Sequence, residues 1–167
     1  MQPRLVHLSS KLIAGHRLNM SFAQNKTGAL WQGFMPKRAA INSKVNEAFY
    51  SVEVYPPSFF DDFKPTHEFE KWAGVEVSEG SAQPGGIELL TIPAGLYAVF
   101  THHGPASAGP KTYQYIFGIW IPASGYIIDD RPHFALMDER YKHEAPDSEE
   151  DIYIPVKPAN FKNDVTI

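Results

Sequence analysis

The chain has 167 residues, of which 43% are hydrophobic and 20% are charged, and its net charge is −4. This composition predicts a folded chain with a full hydrophobic core, and it argues against both a disordered chain and a nucleic-acid binder, which needs a concentrated basic face. Because the sequence contains no Cys, disulfides, thiol catalysis and thiolate metal sites are excluded.

The first half of the chain alternates between strand and helix patterns. Loosely alternating apolar residues predict a strand that bends near Ser9 and Ser10. Apolar side chains at helical spacing then predict a helix that breaks at Pro36, because proline cannot continue the backbone hydrogen bonding. Two further alternating runs flank a proline-bounded loop. The predicted elements are a bent strand, a helix, a strand, a loop and a strand, over residues 4–18, 27–41, 49–55, 56–66 and 69–77.

The second half repeats this plan. Residues 87–101 predict a strand that is interrupted at Pro93–Gly95, where proline removes a backbone donor. Pro110 is favoured at the start of a helix, and an apolar stripe at helical spacing predicts a largely buried helix that ends at Pro122. The last two predicted strands are residues 133–137 and 151–157. Pro155 predicts that the final strand lies at an edge or is paired on one side only.

Each half therefore has the order strand, helix, strand, strand, and the helix segments W-Q-G-F-M-P (31–36) and F-G-I-W-I-P (117–122) echo each other. We predict an α+β fold made of two β-α-β-β modules, with antiparallel sheets and helices on one face. The modules span about residues 3–80 and 84–158 and form one domain. A module of this size cannot bury its own sheet face, so we expect an aromatic cleft between the two as the ligand position.

Ordered motifs in the second half resemble the GyrI-like family, the effector-binding domain attached to many AraC- and MerR-type bacterial transcription regulators. The motifs are A-G-L-Y-A-V-F-T-H-H-G, Y-Q-Y-I-F-G-I-W-I-P-A-S-G-Y, D-D-R-P-H-F and E-E-D-I-Y-I-P-V-K. Together with N-K-T-G-A-L-W-Q-G-F-M-P and F-E-K-W-A they extend the resemblance over nearly the whole chain. The resemblance implies a pseudo-duplicated fold whose central cleft binds flat, apolar and often cationic small molecules.

The resemblance also implies functions of stand-alone members, some of which inhibit gyrase or hydrolyse reactive alkylating compounds. The fused regulators carry a separate helix-turn-helix domain. The chain has no spare length for such a domain, so we do not expect direct DNA binding.

One departure from the family concerns its acidic cleft residue. Members commonly have Phe-Glu in the short strand before the last, with the acid facing ligand cations. Here that strand reads His133-Phe134-Ala135, so that Ala135 replaces the acid. An alternative alignment matches D-E-R-Y at residues 138–141 to the motif and gives the role to Glu139.

Aromatic and acidic side chains are the candidate ligand contacts. Tryptophan and tyrosine rings stack on planar ligands and attract cations, although the same rings are equally suited to a core. Glu53 and Glu76 each point opposite their flanking valines; if the valines pack under the helices, both acids face solvent or the cleft. The candidate ligand-binding residues are Trp31, Glu53, Trp72, Glu76, Tyr97, Trp120, Glu139, Tyr141 and Tyr153.

Three functions follow from these patterns. The first is small-molecule binding linked to transcription regulation or ligand sequestration in the cytoplasm, because no signal peptide or membrane span is apparent. The second is a hydrolase in which a cleft acid, Glu53 or Glu139, activates water. The third is a protein-interaction module that binds gyrase or a regulator. We expect neither a metal nor a cofactor, since the histidines lack metal-ligand spacing and no phosphate or dinucleotide motif is present.

Overall fold

A computed structural model describes residues 1–80 and 82–159, and these residues form nine strands and a small number of helical segments. The strands are β1 (Arg4–Leu8), β2 (Lys11–Met20), β3 (Phe49–Val54), β4 (Phe69–Val77), β5 (Glu88–Ile92), β6 (Gly95–His103), β7 (Tyr126–Ile128), β8 (His133–Met137) and β9 (Glu149–Pro158). The α-helices are α1 (Thr27–Phe34), α2 (Gly109–Tyr115) and α3 (Ile121–Ser124). Single-turn segments extend them: 3₁₀ turns at Met35–Ala40 and Ala106–Ala108, and a π-helical turn at Ile116–Trp120.

The strands pair antiparallel in the order β1-β6-β9-β8-β3-β4-β2-β5, and β7 adds to β9. Each half of the chain builds the same arrangement, because its last strand lies between two of its earlier strands: β4 between β2 and β3, and β9 between β6 and β8. The pairing of β3 with β8 joins the two arrangements. The predicted α+β fold with duplicated β-α-β-β units is confirmed. We propose that these units are the half-modules expected over about residues 3–80 and 84–158.

A second connection joins the halves through their bent strands. β1 pairs with β6 from Arg4–Val99 to Leu8–Gly95, and β2 pairs with β5 from Lys11–Ile92 to Gly15–Glu88. The two ladders keep one register across the interruption, so the bend at Ser9–Ser10 lies opposite the bend at Pro93–Ala94. Because β1 continues into β2, and β5 into β6, the strand order closes on itself and encloses one face of the sheet.

The hydrophobic core has three parts that follow from this closure. One cluster packs α1 onto the first half of the sheet around Phe34 and Ala73, and another packs α2 and the π turn onto the second half around Phe100 and Ile116. The third lies on the opposite, enclosed face. Its largest buried members are Tyr50, Trp72, Tyr97 and Phe134.

The prediction that Pro122 ends the second helix is wrong, because helical structure continues to Ser124 and ends at Gly125, whose left-handed backbone (φ 76°) favours glycine. The π turn explains the difference. The amide of Ile121 bonds the carbonyl of Ile116, five residues back, and this wider turn accommodates the proline ring. The expected burial of the helix is also only partial, since Ile119 is 62% exposed.

The prediction of an edge position for the last strand is wrong as well. β9 lies between β6 and β8, and Pro155 pairs with Tyr97 of β6. Its ladder with β8 runs only from Tyr153 to Asp151, so the missing amide of Pro155 falls beyond it and removes no bond there. Strand β7, which lies in a stretch for which the sequence predicts no element, covers the far end of β9.

Candidate functional site

The candidate site is a groove on the helix-bearing face of the sheet, between α1 and α2, where β3 and β8 meet. Alternate residues of β3 point into it, whereas Tyr50 and Val52 point to the enclosed face. We call it the central groove and define it by the side chains that contact or influence one another there. These are Glu53, Tyr55, Phe60, Lys71, Tyr113, Phe117, His133 and Glu150.

An ion pair lies in the floor of the central groove. Glu53 and Lys71 are opposite each other in the β3·β4 ladder, and Nζ of Lys71 is 3.6 Å from Oε1 of Glu53. Both side chains are largely buried, with 17% of Lys71 and 13% of Glu53 exposed. Nζ also donates to Oγ1 of Thr27, in the first turn of α1, at 3.2 Å. The lysine is therefore held from the sheet and from the helix at once.

The charge of Lys71 acts on two carboxylates, those of Glu53 and Glu150. Burial raises the pKa of Glu53, and Lys71 opposes that shift. Burial likewise raises the pKa of Glu150 on β9, against the attraction of His102 and Lys71. For both acids, the effect of burial on the pKa exceeds the effect of the nearby positive charges. The two carboxylates are therefore poorly hydrated, and electrostatic interactions with them are strengthened.

Two phenols complete the polar part of the groove. Burial, reinforced by the charge of Glu53, raises the pKa of Tyr55 and of Tyr113 well above the usual range. Both hydroxyls therefore stay protonated at neutral pH and remain hydrogen-bond donors. The charge of Glu150 also raises the pKa of Tyr113, so this ring from α2 lies near both acids.

A column of flat rings forms the other part of the groove. The ring of Phe60 stacks on Phe117 at 5.2 Å between centroids with an interplanar angle of 18°. It also stacks on His133 at 5.7 Å and 25°. Tyr55 meets Phe60 edge-on at 4.8 Å and His133 at 4.9 Å. The π turn and strand β8 thus each supply a ring against which Phe60 packs, and these two rings, Phe117 and His133, lie 6.1 Å apart.

Phe60 reaches this position from the proline-bounded loop, residues 56–66, which contains turns and no strand or α-helix. A cavity of about 180 Å³ adjoins the ring column and is lined by residues of the loop, by residues 128–131 and by His133. A second cavity of about 330 Å³ opens on the outer side of the same loop, beside Pro56 and His67. Both cavities border the loop, and the groove that the loop covers contains a ring of the chain itself.

Glu53 and Trp31 are the predicted site residues that lie in or beside the central groove. Trp31 projects from α1 and meets Phe49 edge-on at 5.9 Å. Tyr141 lies near its rim, where burial and the charge of Glu150 raise the pKa of the phenol. Of the two positions that the sequence predicts for the acids of the V-E-V motifs, solvent or a cleft, Glu53 lies in the groove, with 13% of its side chain exposed.

The other predicted residues lie elsewhere. Trp120 packs under the second helix, stacked on Tyr126 at 6.2 Å. Glu139 is exposed in the turn after β8, and Ala135 is buried in β8 opposite Ser51. Four residues face the enclosed side of the sheet or lie against its cluster: Trp72, Glu76, Tyr97 and Tyr153.

The enclosed side is a packed core in which most of the polar groups named below are paired. Glu76 accepts a hydrogen bond from the hydroxyl of Tyr50 at 3.0 Å and pairs with Lys11 at 3.4 Å. Tyr97 is fully buried and donates to the carbonyl of Pro132, and the guanidinium of Arg131 lies 4.6 Å from its ring. The bent strands cover this face, so the rings on it pack against one another.

Several groove residues were not among the predicted ones: Phe60, Lys71, Tyr113, Phe117, His133 and Glu150. Alternation in F-E-K-W-A places Lys71 on the same face as Phe69 and Ala73, which is a signal that this lysine faces the helices. Phe60 carries no comparable signal, because a loop has no period that predicts where its side chains point.

With this geometry established, comparison with known proteins identifies the family. A sequence profile described as the GyrI-like small molecule binding domain matches residues 1–157. The chain belongs to the GyrI-like family. The family resemblance predicted from the motifs is confirmed, and the chain is a small-molecule-binding domain of that type.

Curated relatives include regulators and inhibitors of bacterial origin. The transcriptional regulator BrlR of Pseudomonas aeruginosa is 30% identical over 158 residues, which cover 93% of this chain and 56% of that protein. A DNA gyrase inhibitor of Erwinia billingiae is 34% identical over 87 residues, covering 50% of this chain and 52% of that protein. The chain thus spans about half the length of the curated relatives it matches.

Solved structures share the fold at low sequence identity. SAV2435 bound to tetraphenylphosphonium has a TM-score of 0.75 at 16% identity, with 94% of each chain covered. The EcmrR C-terminal domain has a TM-score of 0.67 at 16% identity, covering 94% of this chain and 98% of that one. Within residues 1–80 and 82–159, each helix is too short or too polar to traverse a lipid bilayer. Over the same residues, no three metal-binding side chains come together.

Proposed function

We propose that the GyrI-like domain binds a planar aromatic small molecule in the central groove, in the position that the ring of Phe60 now occupies. The observation that supports this most directly is the stacking of Phe60 on both Phe117 and His133. A ring carried by irregular backbone can be exchanged for a ligand ring, while the neighbouring Phe59, which is 5% exposed, keeps the loop anchored in the core.

The surroundings of the groove support a small-molecule ligand. Flat rings provide stacking area, and buried tyrosine hydroxyls with the Glu53–Lys71 pair provide orienting polar groups. A largely apolar site with few convergent polar groups is typical of ligand pockets. We propose that binding serves transcription regulation or ligand sequestration, as in the regulators to which the chain is related.

The test is a titration with 9-methylacridine, a flat tricyclic dye, followed by quenching of tryptophan fluorescence and by calorimetry. We expect saturable binding to the wild-type chain. Replacing Phe117 by Ala removes one stacking surface, and we expect the affinity to fall about tenfold, since base–aromatic stacking of comparable size contributes about 1–3 kcal/mol.

The matched control is Trp72→Phe, which changes a ring on the enclosed face and keeps its volume nearly filled. We expect its affinity to equal that of the wild type. If Trp72→Phe abolishes binding and Phe117→Ala does not, the ligand lies on the enclosed face and the proposal is overturned. Absence of saturable binding by the wild type and by a Phe60→Ala variant would overturn it as well.

A further inference from the structure

We infer that Lys71 is a cation built into the central groove, and that it makes the site selective for uncharged planar molecules over cationic ones. This inference rests on the proposed function, because it concerns the ligand of the same groove. It also sets this chain apart from a structural relative that was solved with tetraphenylphosphonium, a cation.

Two contacts fix the position of the ammonium group. The β3·β4 register places Lys71 directly opposite Glu53, at 3.6 Å between Nζ and Oε1. The hydroxyl of Thr27 accepts a hydrogen bond from Nζ at 3.2 Å from the other side. Because 83% of the lysine side chain is removed from solvent, its charge is screened little by water and salt.

The ammonium neutralises the groove acid with which it pairs, Glu53, which would otherwise attract a positively charged ligand. It also opposes the rise in the pKa of Glu150 that burial causes. A cationic ring that enters the groove therefore meets a like charge at the acid it would bind. Displacing Lys71 from its acid would leave a largely buried ammonium group unpaired, which is costly. An uncharged ring is not repelled by Lys71 and does not need to displace Lys71 from its acid.

The experiment compares two dyes of the same shape, 9-methylacridine and 10-methylacridinium, in mildly alkaline buffer where the first is uncharged and the second carries a permanent positive charge. Affinities are measured by calorimetry for the wild type and for Lys71→Met. We expect the wild type to prefer the uncharged dye. We expect Lys71→Met to bind the acridinium about tenfold more tightly than the wild type, with the affinity for the uncharged dye changed by less than about threefold.

A matched control uses the second lysine–glutamate pair of the sheet. Lys11 pairs with Glu76 at 3.4 Å, and the two side chains have comparable exposures of 24% and 15%, but the pair lies on the enclosed side. Lys11→Met is expected to leave the ratio of the two affinities unchanged. Adding Glu53→Gln to Lys71→Met is expected to remove the gained affinity for the acridinium, because the gain comes from the freed carboxylate.

The outcomes separate this inference from the proposed function. If both dyes bind and Lys71→Met changes their affinities equally, Lys71 acts through its size and the inference is overturned while the binding function stands. If neither dye binds any variant, both fail. Should Lys71→Met not fold, Lys71→Gln provides an uncharged hydrogen-bond donor on a side chain one atom shorter, and the same shift in the affinity ratio is expected from it.

Discussion

Ser51 of β3 and Ala135 of β8 lie directly opposite each other where the two halves of the sheet join. Both belong to the strand faces that point toward the helices, since their neighbours Tyr50 and Phe134 point to the enclosed side. The centre of the groove floor therefore carries two of the smallest side chains available, and the rings above it rest over open backbone. Ala135 occupies the floor, while Glu139 is exposed beyond it.

The first prediction concerns this floor. Replacing Ala135 by Leu adds three carbon atoms beneath the ring column, so we expect acridine affinity to fall at least about tenfold while stability falls by about 1–3 kcal/mol, the usual cost of overpacking. Calorimetry and urea unfolding measure the two effects. Ala29→Leu on the exposed surface of α1 is the control and should change neither. Undiminished dye binding by Ala135→Leu would place the ligand away from the floor.

The second prediction concerns Phe60, which competes with the ligand for its place. Removing the ring in Phe60→Ala frees the stacking surfaces of Phe117 and His133, so we expect the acridine affinity to rise about tenfold. Phe63→Ala removes a 49% exposed ring from the same loop and should leave the affinity at its wild-type value. A weaker complex with Phe60→Ala would mean that the ring contributes to the site.

The third prediction concerns the stability of the groove ion pair. Glu53→Gln leaves Lys71 without its carboxylate, and Lys71→Met leaves Glu53 without its cation, so each single change should destabilise the fold. The double variant removes both charges, and we expect it to be more stable than the sum of the single changes predicts, by about 1–3 kcal/mol. Urea unfolding of the four proteins measures this coupling. Additive effects would show that the two groups do not interact in solution.

The fourth prediction concerns pH. Burial, followed by the repulsion of Arg131, lowers the pKa of His133 from 6.5 to about 3. The unfolded chain therefore binds more protons than the folded chain between these values, and stability must fall as the pH drops below 6.5. Between pH 6.5 and 5 the loss from this residue alone is about 2 kcal/mol, at about 1.4 kcal/mol per pH unit.

The variant His133→Phe tests this pH dependence, because it keeps a flat ring in the column and removes the titration. We expect thermal or urea unfolding to show a shallower decline in stability toward acid than in the wild type. His67→Phe replaces an exposed histidine and should retain the wild-type slope. Equal slopes in all three proteins would show that His133 is protonated in the fold without penalty.

The fifth prediction concerns two glycines that face each other across β2 and β4. Gly15 pairs with Gly74, and a Cβ on Gly15 would overlap the carbonyl oxygen of Ala73 and lie 2.7 Å from the Cα of Gly74. Gly15→Ala should therefore destabilise the fold by about 2–3 kcal/mol, because the backbones must separate. Gly28→Ala in α1 meets no atom within 4 Å and should be neutral or stabilising. Urea unfolding of both variants decides the point.

The alternation of the sequence was enough to place the strands other than β7 and to recognise the duplicated plan, because period-2 patterns and prolines mark strand runs and their ends directly. Alternation could not show on which face of the sheet each side chain lies. Alternation shows that Glu53 and Val52 point in opposite directions, but the side on which a helix packs depends on the whole sheet. Glu76 has its valines under α1, whereas Glu53 has Val52 on the enclosed face, so two identical V-E-V motifs have opposite orientations.

The ring column was beyond sequence-based prediction for a related reason. The path of the loop at residues 56–66 depends on contacts with the π turn and β8, which are distant in the chain. Phe60 and Phe59 are adjacent in a turn, yet Phe59 is buried among Tyr55 and Phe69 while Phe60 covers the groove. No local rule separates two neighbouring phenylalanines in irregular backbone.

The single register shared by the two bent strands has a consequence for biosynthesis. The ladder that joins residues 4–8 to residues 95–99 cannot form until the ribosome has released the later segment. Until then, β1 and one edge of β2 in the nascent chain lack the strands with which they pair, β6 and β5. Contacts so distant in sequence slow folding. We therefore expect the first half, expressed by itself, to be prone to aggregate, and supplying the second half as a separate chain to rescue it.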